Sequence, residues 1–173
     1  MKRKSFKRYF FLLPAVFMMA LIFFFSSREA EESTMHSMLI AYYVVDAGDS
    51  LGFIDVSSPE ERELYASYVD GVVRKSAHMI EFGILSFTVW FGLIFWTDSR
   101  KKLYSMTMGI CVFYACTDEI HQMFVRGRYG CARDVLVDSA GIAFVLLLIF
   151  GIENAVRDSM YMRVSLQDPK SSE

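Results

Sequence analysis

The sequence is short of the features that announce soluble chemistry. It has three cysteines, Cys111, Cys116 and Cys131. The number is odd, and the spacing makes neither a zinc ribbon nor a CxxC redox pair. Cys111 and Cys116 lie inside an apolar run, where cysteine serves as a small hydrophobe. No GxSxG surrounds a serine, and Ser76 and Ser139 have no nucleophile motif about them. No HExxH and no internal repeat is present. Excess charge is slight, with a formal net charge of -2 that says nothing about nucleic acid; no nucleic-acid partner is expected of a membrane domain. Long uncharged runs are scarce too. Only Tyr9 to Phe25 comes near the ~20 residues that cross ~30 Å of hydrocarbon.

What is present is apolar surface, 54% of the 173 residues being hydrophobic and 16% aromatic. Soluble domains usually hold about 45–50% apolar residues. The excess is concentrated in runs, which points to one all-α integral membrane domain built as a four-transmembrane-helix bundle. The expected spans are residues 9–27, 76–97, 103–124 and 134–152. Phe82 to Thr97 and Leu103 to Thr117 are uncharged but short, and Val135 to Ile152 contains Asp138. These three reach full length only by taking in His78 and Glu81, Asp118 to Gln122, and Asp134 with Asp138. Those polar groups are therefore expected at membrane depth, near one interface.

Basic residues set the direction, because cytoplasmic loops are enriched in Lys and Arg. Lys2, Arg3, Lys4, Lys7 and Arg8 precede the first span, Arg100, Lys101 and Lys102 follow the second, and Arg157, Arg163 and Lys170 follow the fourth. Both termini are then cytoplasmic, with residues 28–75 outside and 153–173 as a cytoplasmic tail. The outer segment is acidic, in keeping with that placement. A cleaved signal peptide is the rival for the first span. Its apolar stretch is longer than a usual h-region, and "FFFSSREA" makes a poor cleavage site. Pro14 removes a backbone donor and is expected to kink this helix.

In the outer segment, Ser33 is a candidate cap for a helix reaching Asp46. Met35, Met38, Leu39 and Tyr42 would form a stripe suited to the membrane surface or to the bundle. "DAGDSLG" reads as a loop. "SSPEER" supplies a cap residue, a proline at the first helical position and acids in the first turn. A helix is expected to start there and run into the second span, with Gly71 as the candidate break.

Spacing groups the polar residues. Arg74, His78 and Glu81 follow i, i+4, i+7; Asp118, His121 and Gln122 follow i, i+3, i+4; Asp134, Asp138 and Gly141 follow i, i+4, i+7. Residues so spaced lie one above another on a helix. Three polar faces at one depth converge into a pocket more cheaply than they face lipid. His78, Glu81, Asp118 and Glu119 are the candidate catalytic residues. His78 would act as acid or base, since histidine titrates near neutrality, with Glu81 or Asp118 orienting it. Arg74, Gln122, Arg128, Arg133, Asp134 and Asp138 are candidate substrate- or anion-binding residues, Arg128 and Arg133 being suited to a phosphate head group. A network of Arg128, Arg133, Asp118, Glu119 and Asp134 that only fixes the bundle is the structural alternative. His78, Glu81, Glu119 and His121 are ligand types suited to zinc, but their spacing and the nearby arginines disfavour a cation. No metal and no cofactor is expected. Lys75 and Arg126 read as ordinary interface residues, and His36 as a surface residue.

The blocks that carry these residues resemble the VanZ-like family of small bacterial membrane proteins. "FSS" ends the first span as in that family. "RKSAHMIEFGIL" resembles its R/K-x-x-x-H-x-x-E-[FY]-x-x-L block, "DEIHQMFVRGR" its D-E-x-x-Q-x-F-x-x-G-R block, and "RDVLVDSAG" its D-x-x-x-[ND]-x-x-G block. The blocks occur in order across residues 25–141. Two departures fall in the loop: Arg126 stands where the family often has proline, and "YGC" replaces a serine-containing stretch. The family takes its name from a protein associated with low-level resistance to teicoplanin, a lipid-bearing glycopeptide.

The resemblance implies an envelope protein with a role in teicoplanin resistance, acting through an outward-facing polar pocket and without an assigned mechanism. The alternative is a membrane enzyme doing acid/base chemistry on a lipid head group or other amphiphile. A proton-coupled transporter ranks third, because the other half of the bundle offers Thr107, Thr97 and little else. Membrane lipid, and a lipoglycopeptide or envelope amphiphile, are the expected partners, and nothing in the sequence sets the oligomeric state. The topology is tested by cysteine labelling with the three native cysteines replaced. A membrane-impermeant reagent applied from outside should modify a cysteine at Ser50 and spare one at Ser99; the reverse pattern refutes the orientation.

Overall fold

A computed structural model describes residues 8–167. Its helices are α1 (Leu13–Ser26), α2 (Ala30–Ser50), α3 (Pro59–Leu93), α4 (Arg100–Gln122) and α5 (Ala132–Gln167). No strand occurs among the described residues. Three helices are long and apolar enough to cross a membrane: Arg8–Ser26, Pro59–Leu93 and Ala132–Met160. The four-span expectation counted α4 as well. Asp118, Glu119, His121 and Gln122 lower its apolarity, yet α4 packs in the same core through Leu103, Cys111 and Ala115.

Local chemistry sets the helix ends. The hydroxyl of Ser58 accepts the Glu61 N–H at 3.2 Å, and Glu61 Oε2 accepts the Ser57 N–H at 2.9 Å. Pro59 follows at the first helical position, so α3 starts where the sequence indicates. No break occurs at Gly71; α3 is one helix of 35 residues, about 52 Å at 1.5 Å per residue. Pro14 stands at the start of α1 rather than at a mid-helix kink. A tighter turn precedes it, with i→i+3 bonds from Phe11 N to Arg8 O and from Leu12 N to Tyr9 O.

The outer segment departs most from expectation. Ser33 is not a cap: α2 starts three residues earlier, where the Ala30 N–H bonds the Arg126 carbonyl of a distant loop at 3.3 Å. Nor is "DAGDSLG" a loop through its length, since the helix continues to Ser50. Gly52, at φ +74°, terminates it. Phe53 N bonds Gly48 O and Gly52 N bonds Asp49 O, both at 2.9 Å, the crossed pair that satisfies the last free carbonyls of a helix. The stripe that packs is Ser37, Ala41 and Val45 with Met38 and Tyr42, while Met35 and Leu39 remain exposed.

The helices make two apolar cores. Ala41, Val45 and Ala66 hold α2 against the first half of α3. Arg62 closes this hairpin with two 2.6 Å bonds to the Asp46 carboxylate, which lower its pKa, and stacks 4.5 Å over the Tyr42 ring. The larger core joins the second half of α3 to α1, α4 and α5 through Ile22, Phe82, Leu85, Val89, Ile142 and Leu146. Tyr114 of α4 donates to the Met19 carbonyl of α1 at 2.6 Å.

Glycine makes the α3–α5 contact possible. A Cβ on Gly83 would lie 3.0 Å from Val145 and 3.4 Å from the Gly141 carbonyl. A Cβ on Gly141 would collide with the Met79 carbonyl, which is backbone and cannot rotate away. Overpacking of this kind costs about 1–3 kcal/mol or more. Gly141→Ala should therefore lower the melting temperature in detergent by several degrees. Gly109→Ala should leave it unchanged or raise it slightly, because nothing lies within 4 Å of its Cβ position. Equal melting temperatures for the two variants would refute the close contact.

Candidate functional site

The polar residues gather at the end of the bundle where α2 folds back on α3. Two adjoining cavities open there. The first, about 300 Å³, is lined by Arg74, Lys75, His78, Glu119, Gln122, Arg128, Tyr129, Asp134 and Asp138, with Gly71 and Gly127 on its wall. The second, about 350 Å³, lies between Phe25, Arg28, His36, Ser37, Ile40, Val73, Ala77 and Glu81. Arg74, His78 and Arg128 line both, so they form the partition.

Each lining group has a local cause. α3 brings Arg74 and His78 to one face by the i+4 step. His78 Nδ1 is buried without a hydrogen bond and stands 3.7 Å from Glu81 Oε2. Arg74 pairs with buried Asp70 one turn before it, and Asp70 also accepts from the Ser37 hydroxyl of α2. Arg74 Nε has no partner. α5 brings Asp134 and Asp138, again by the i+4 step; Asp138 is only 4% exposed. Asp134 Oδ1 forms a salt bridge with Lys75 Nζ at 3.0 Å, joining α5 to α3.

α4 supplies the buried carboxylates. Asp118 Oδ2 accepts from Ser26 Oγ and Gln122 Nε2, both at 2.8 Å. Its other oxygen has no partner. Glu119 Oε1 accepts the Cys131 backbone N–H at 2.9 Å, which pins the end of the loop before α5. That loop carries Arg128, whose Nε donates to the Arg28 carbonyl at 3.1 Å. Burial lowers the Arg128 pKa, as does the adjacent Arg74 guanidinium, while Asp118, Glu119 and Glu81 oppose them. Gly127, at φ +75°, takes the left-handed turn that aims this loop at α2, and Ala30 lies 3.1 Å from its Cβ position.

The first cavity thus collects Arg74, His78, Glu119, Gln122, Arg128, Asp134 and Asp138 from the expected set. Glu81 lines the second cavity instead, and Asp118 lines neither but holds Gln122 from behind. Arg133 is exposed and lines neither cavity. His121 leaves the Asp118 face: it stacks on Phe23 at 4.4 Å and meets Ser27 Oγ at 3.1 Å. Lys75, expected to be an ordinary interface residue, lines the first cavity and pairs across helices. Arg126 is 85% exposed, and exposed His36 sits on the rim of the second cavity. Among the described residues no cluster of three or more His, Cys, Asp or Glu side chains is placed to hold a metal ion.

Sequence reasoning did not find Ser26, Arg28, Ser37 or Asp70. Ser26 lay within the quoted "FSS", but only the packing of α1 on α4 shows its bond to Asp118. Arg28, Ser37 and Asp70 depend on the fold-back of α2, for which local spacing gives no signal.

Chemically, the arrangement offers a weakly partnered imidazole beside a carboxylate, two guanidiniums lining both cavities, and carboxylates of which Asp118 and Glu119 are held by hydrogen bonds. Such a site can bind an anionic or polar group and hold or move a proton at His78. No curated protein and no solved structure matches the chain. A family model described as VanZ/LLP1 matches residues 11–153, which span every helix that lines the two cavities. With most of its length matched, and with the apolar helices of a membrane protein, the chain belongs to the VanZ/LLP1 family.

Proposed function

We propose that this protein works at the outer face of the bacterial cytoplasmic membrane and lowers susceptibility to teicoplanin through the paired cavities. In this reading α1, α3, α4 and α5 each cross the membrane once, both termini are cytoplasmic, and the α2–α3 hairpin stands outside. The observation that carries it is the shared wall of Arg74, His78 and Arg128, where two cavities meet at one end of the bundle. Lysine and arginine at the opposite end support the outward direction. A lipoglycopeptide acts at that outer surface, so a site there can engage the drug or alter what the drug meets.

A second reading is favoured by the His78–Glu81 pair, whose 3.7 Å separation leaves Nδ1 without a hydrogen bond. There the protein is an enzyme doing acid/base chemistry on a lipid head group. His78 exchanges the proton, Glu81 orients the ring, and Arg128 holds the anion. A catalytic role predicts that loss of His78 abolishes turnover while binding persists.

In cells whose teicoplanin sensitivity depends on this protein, His78→Ala and Arg128→Ala should restore the sensitivity of cells lacking it. Arg126→Gln, at an exposed position, should retain full effect. Abundance in the membrane must be measured alongside, because removing one member of a buried charged network can cost about 3–5 kcal/mol. Asp118→Asn keeps the shape and the bond from Ser26, so it should accumulate normally with reduced effect. Folded, abundant and fully active pocket variants would reduce the cluster to a structural network and refute the reading.

A further inference from the structure

The second cavity differs from the first in how its charge is arranged. The first is mixed, with Glu119, Asp134 and Asp138 opposite Arg74, Lys75 and Arg128. The second has one acid, Glu81, against Arg28, Arg74 and Arg128, with His36 and His78 beside them. Two of those arginines are already engaged by carboxylates: Arg28 by Glu32 at 2.5 Å, and Arg74 by Asp70. Arg128 has no carboxylate partner among the described residues; its hydrogen bond goes to a backbone carbonyl. Its guanidinium lies close enough to Arg74 for the two charges to oppose each other. Two guanidiniums lining one cavity, one of them free of a salt bridge among the described residues, suit a phosphate, which can accept from both through several oxygens.

The rest of the lining is apolar. Phe25, Ile40, Val73 and Ala77 line the cavity beside those cations. Phe25 and Ile40 are 44% and 52% exposed, so the apolar side opens outward at the rim. Phe25 lies in the last turn of α1, which is one of the helices apolar enough to cross a membrane. A free phosphate would use only the cationic half. A charged group carrying a hydrocarbon chain would use both, and a cavity of about 350 Å³ is within the usual range for small-molecule sites.

We propose that the second cavity binds the phosphate head group of an anionic membrane lipid, with Arg128 and Arg74 on the phosphate and the chain leaving past Phe25, Ile40 and Ala77. This deepens the functional reading, because it gives that site a ligand class. It also assigns the positions their parts. Arg128 supplies the charge, Asp70 and Ser37 hold Arg74 in place, and Ala77 keeps the apolar half open.

The experiment uses the full chain in neutral detergent, with melting temperature as the readout and four probes: dioctanoyl phosphatidic acid, dioctanoyl phosphatidylcholine, dioctanoylglycerol and inorganic phosphate. Phosphatidic acid should stabilise the protein in a saturable way, at concentrations about tenfold or more below those at which any other probe acts, as expected for a lost charged hydrogen bond. Arg128→Gln should weaken that response by about tenfold or more by the same reasoning. Ala77→Trp, which fills the apolar half from an exposed position without touching a charge, should abolish the phosphatidic acid response and preserve any response to inorganic phosphate. Arg126→Gln should behave as the unaltered protein.

Equal stabilisation by phosphatidylcholine or dioctanoylglycerol would make the groove merely apolar and overturn the proposal. Equal stabilisation by inorganic phosphate would make it a free-anion site and overturn it too, as would a response that survives Arg128→Gln or Ala77→Trp. The comparison of probes on the unaltered protein decides the matter even if a variant fails to fold. Lipid binding with unchanged teicoplanin sensitivity in the pocket variants removes the functional reading and keeps this one. A lost phenotype without lipid binding does the reverse.

Discussion

Where α5 crosses α3, the chain has no room for a side chain. The position a Gly141 Cβ would take is occupied by the Met79 carbonyl, and a Gly83 Cβ would lie tight against Val145. This contact sets the register of the two helices that supply most of the site. His78 lies one residue before Met79 on α3, and Asp138 lies three residues before Gly141 on α5. One turn further along, the same register carries Lys75 to Asp134. A wider crossing would separate these pairs, and the first cavity would lose the wall that makes it a cavity. In lipid, where apolar burial gives helices little drive to associate, close backbone approach at small residues is the usual source of such contacts.

The second constraint is the need to satisfy buried carboxylates. Asp118, Glu119 and Asp138 are each less than a tenth exposed. Asp118 takes its bonds from Ser26 and Gln122, and Glu119 from a backbone N–H. Neither uses a salt bridge, which leaves Arg128 without a carboxylate of its own. Groups that the sequence would pair by charge are thus distributed differently. Neutral donors hold Asp118 and Glu119, a carbonyl accepts from Arg128, and that arginine stands at the partition between the cavities without a salt bridge among the described residues.

Much of the site could be read from spacing because helical geometry is local. The steps from Arg74 to His78, from Asp118 to Gln122 and from Asp134 to Asp138 each place two residues on one face whatever surrounds them. Four of these six line both or one of the cavities as lining residues of α3 and α5, and Gln122 joins them from α4. What escaped was tertiary. Lys75 looked like an interface residue because its partner stands on another helix. His121 was grouped with Asp118 by its i+3 step, which leaves it about 60° round the helix; it turns toward Phe23. The start of α2 was placed at Ser33 on its capping chemistry, whereas the Arg126 carbonyl supplies the first hydrogen bond from far along the chain. The α2 terminator was hidden for another reason. Gly48 and Gly52 look alike in sequence, and only Gly52 adopts a positive φ.

The unbroken course of α3 limits how this chain can change length. Between Pro59 and Leu93 there is no loop to absorb an added or deleted residue. One insertion near Tyr68 would turn everything before it by about 100° relative to the partition, while a gain of four residues would nearly restore the phase. Because Ser37 and Asp70 join the two arms of the hairpin, α2 would have to change in step. Length variation in this part of the molecule should therefore come in matched, near-whole turns on both helices, with single-residue changes confined to the 51–58 connection and the other turns.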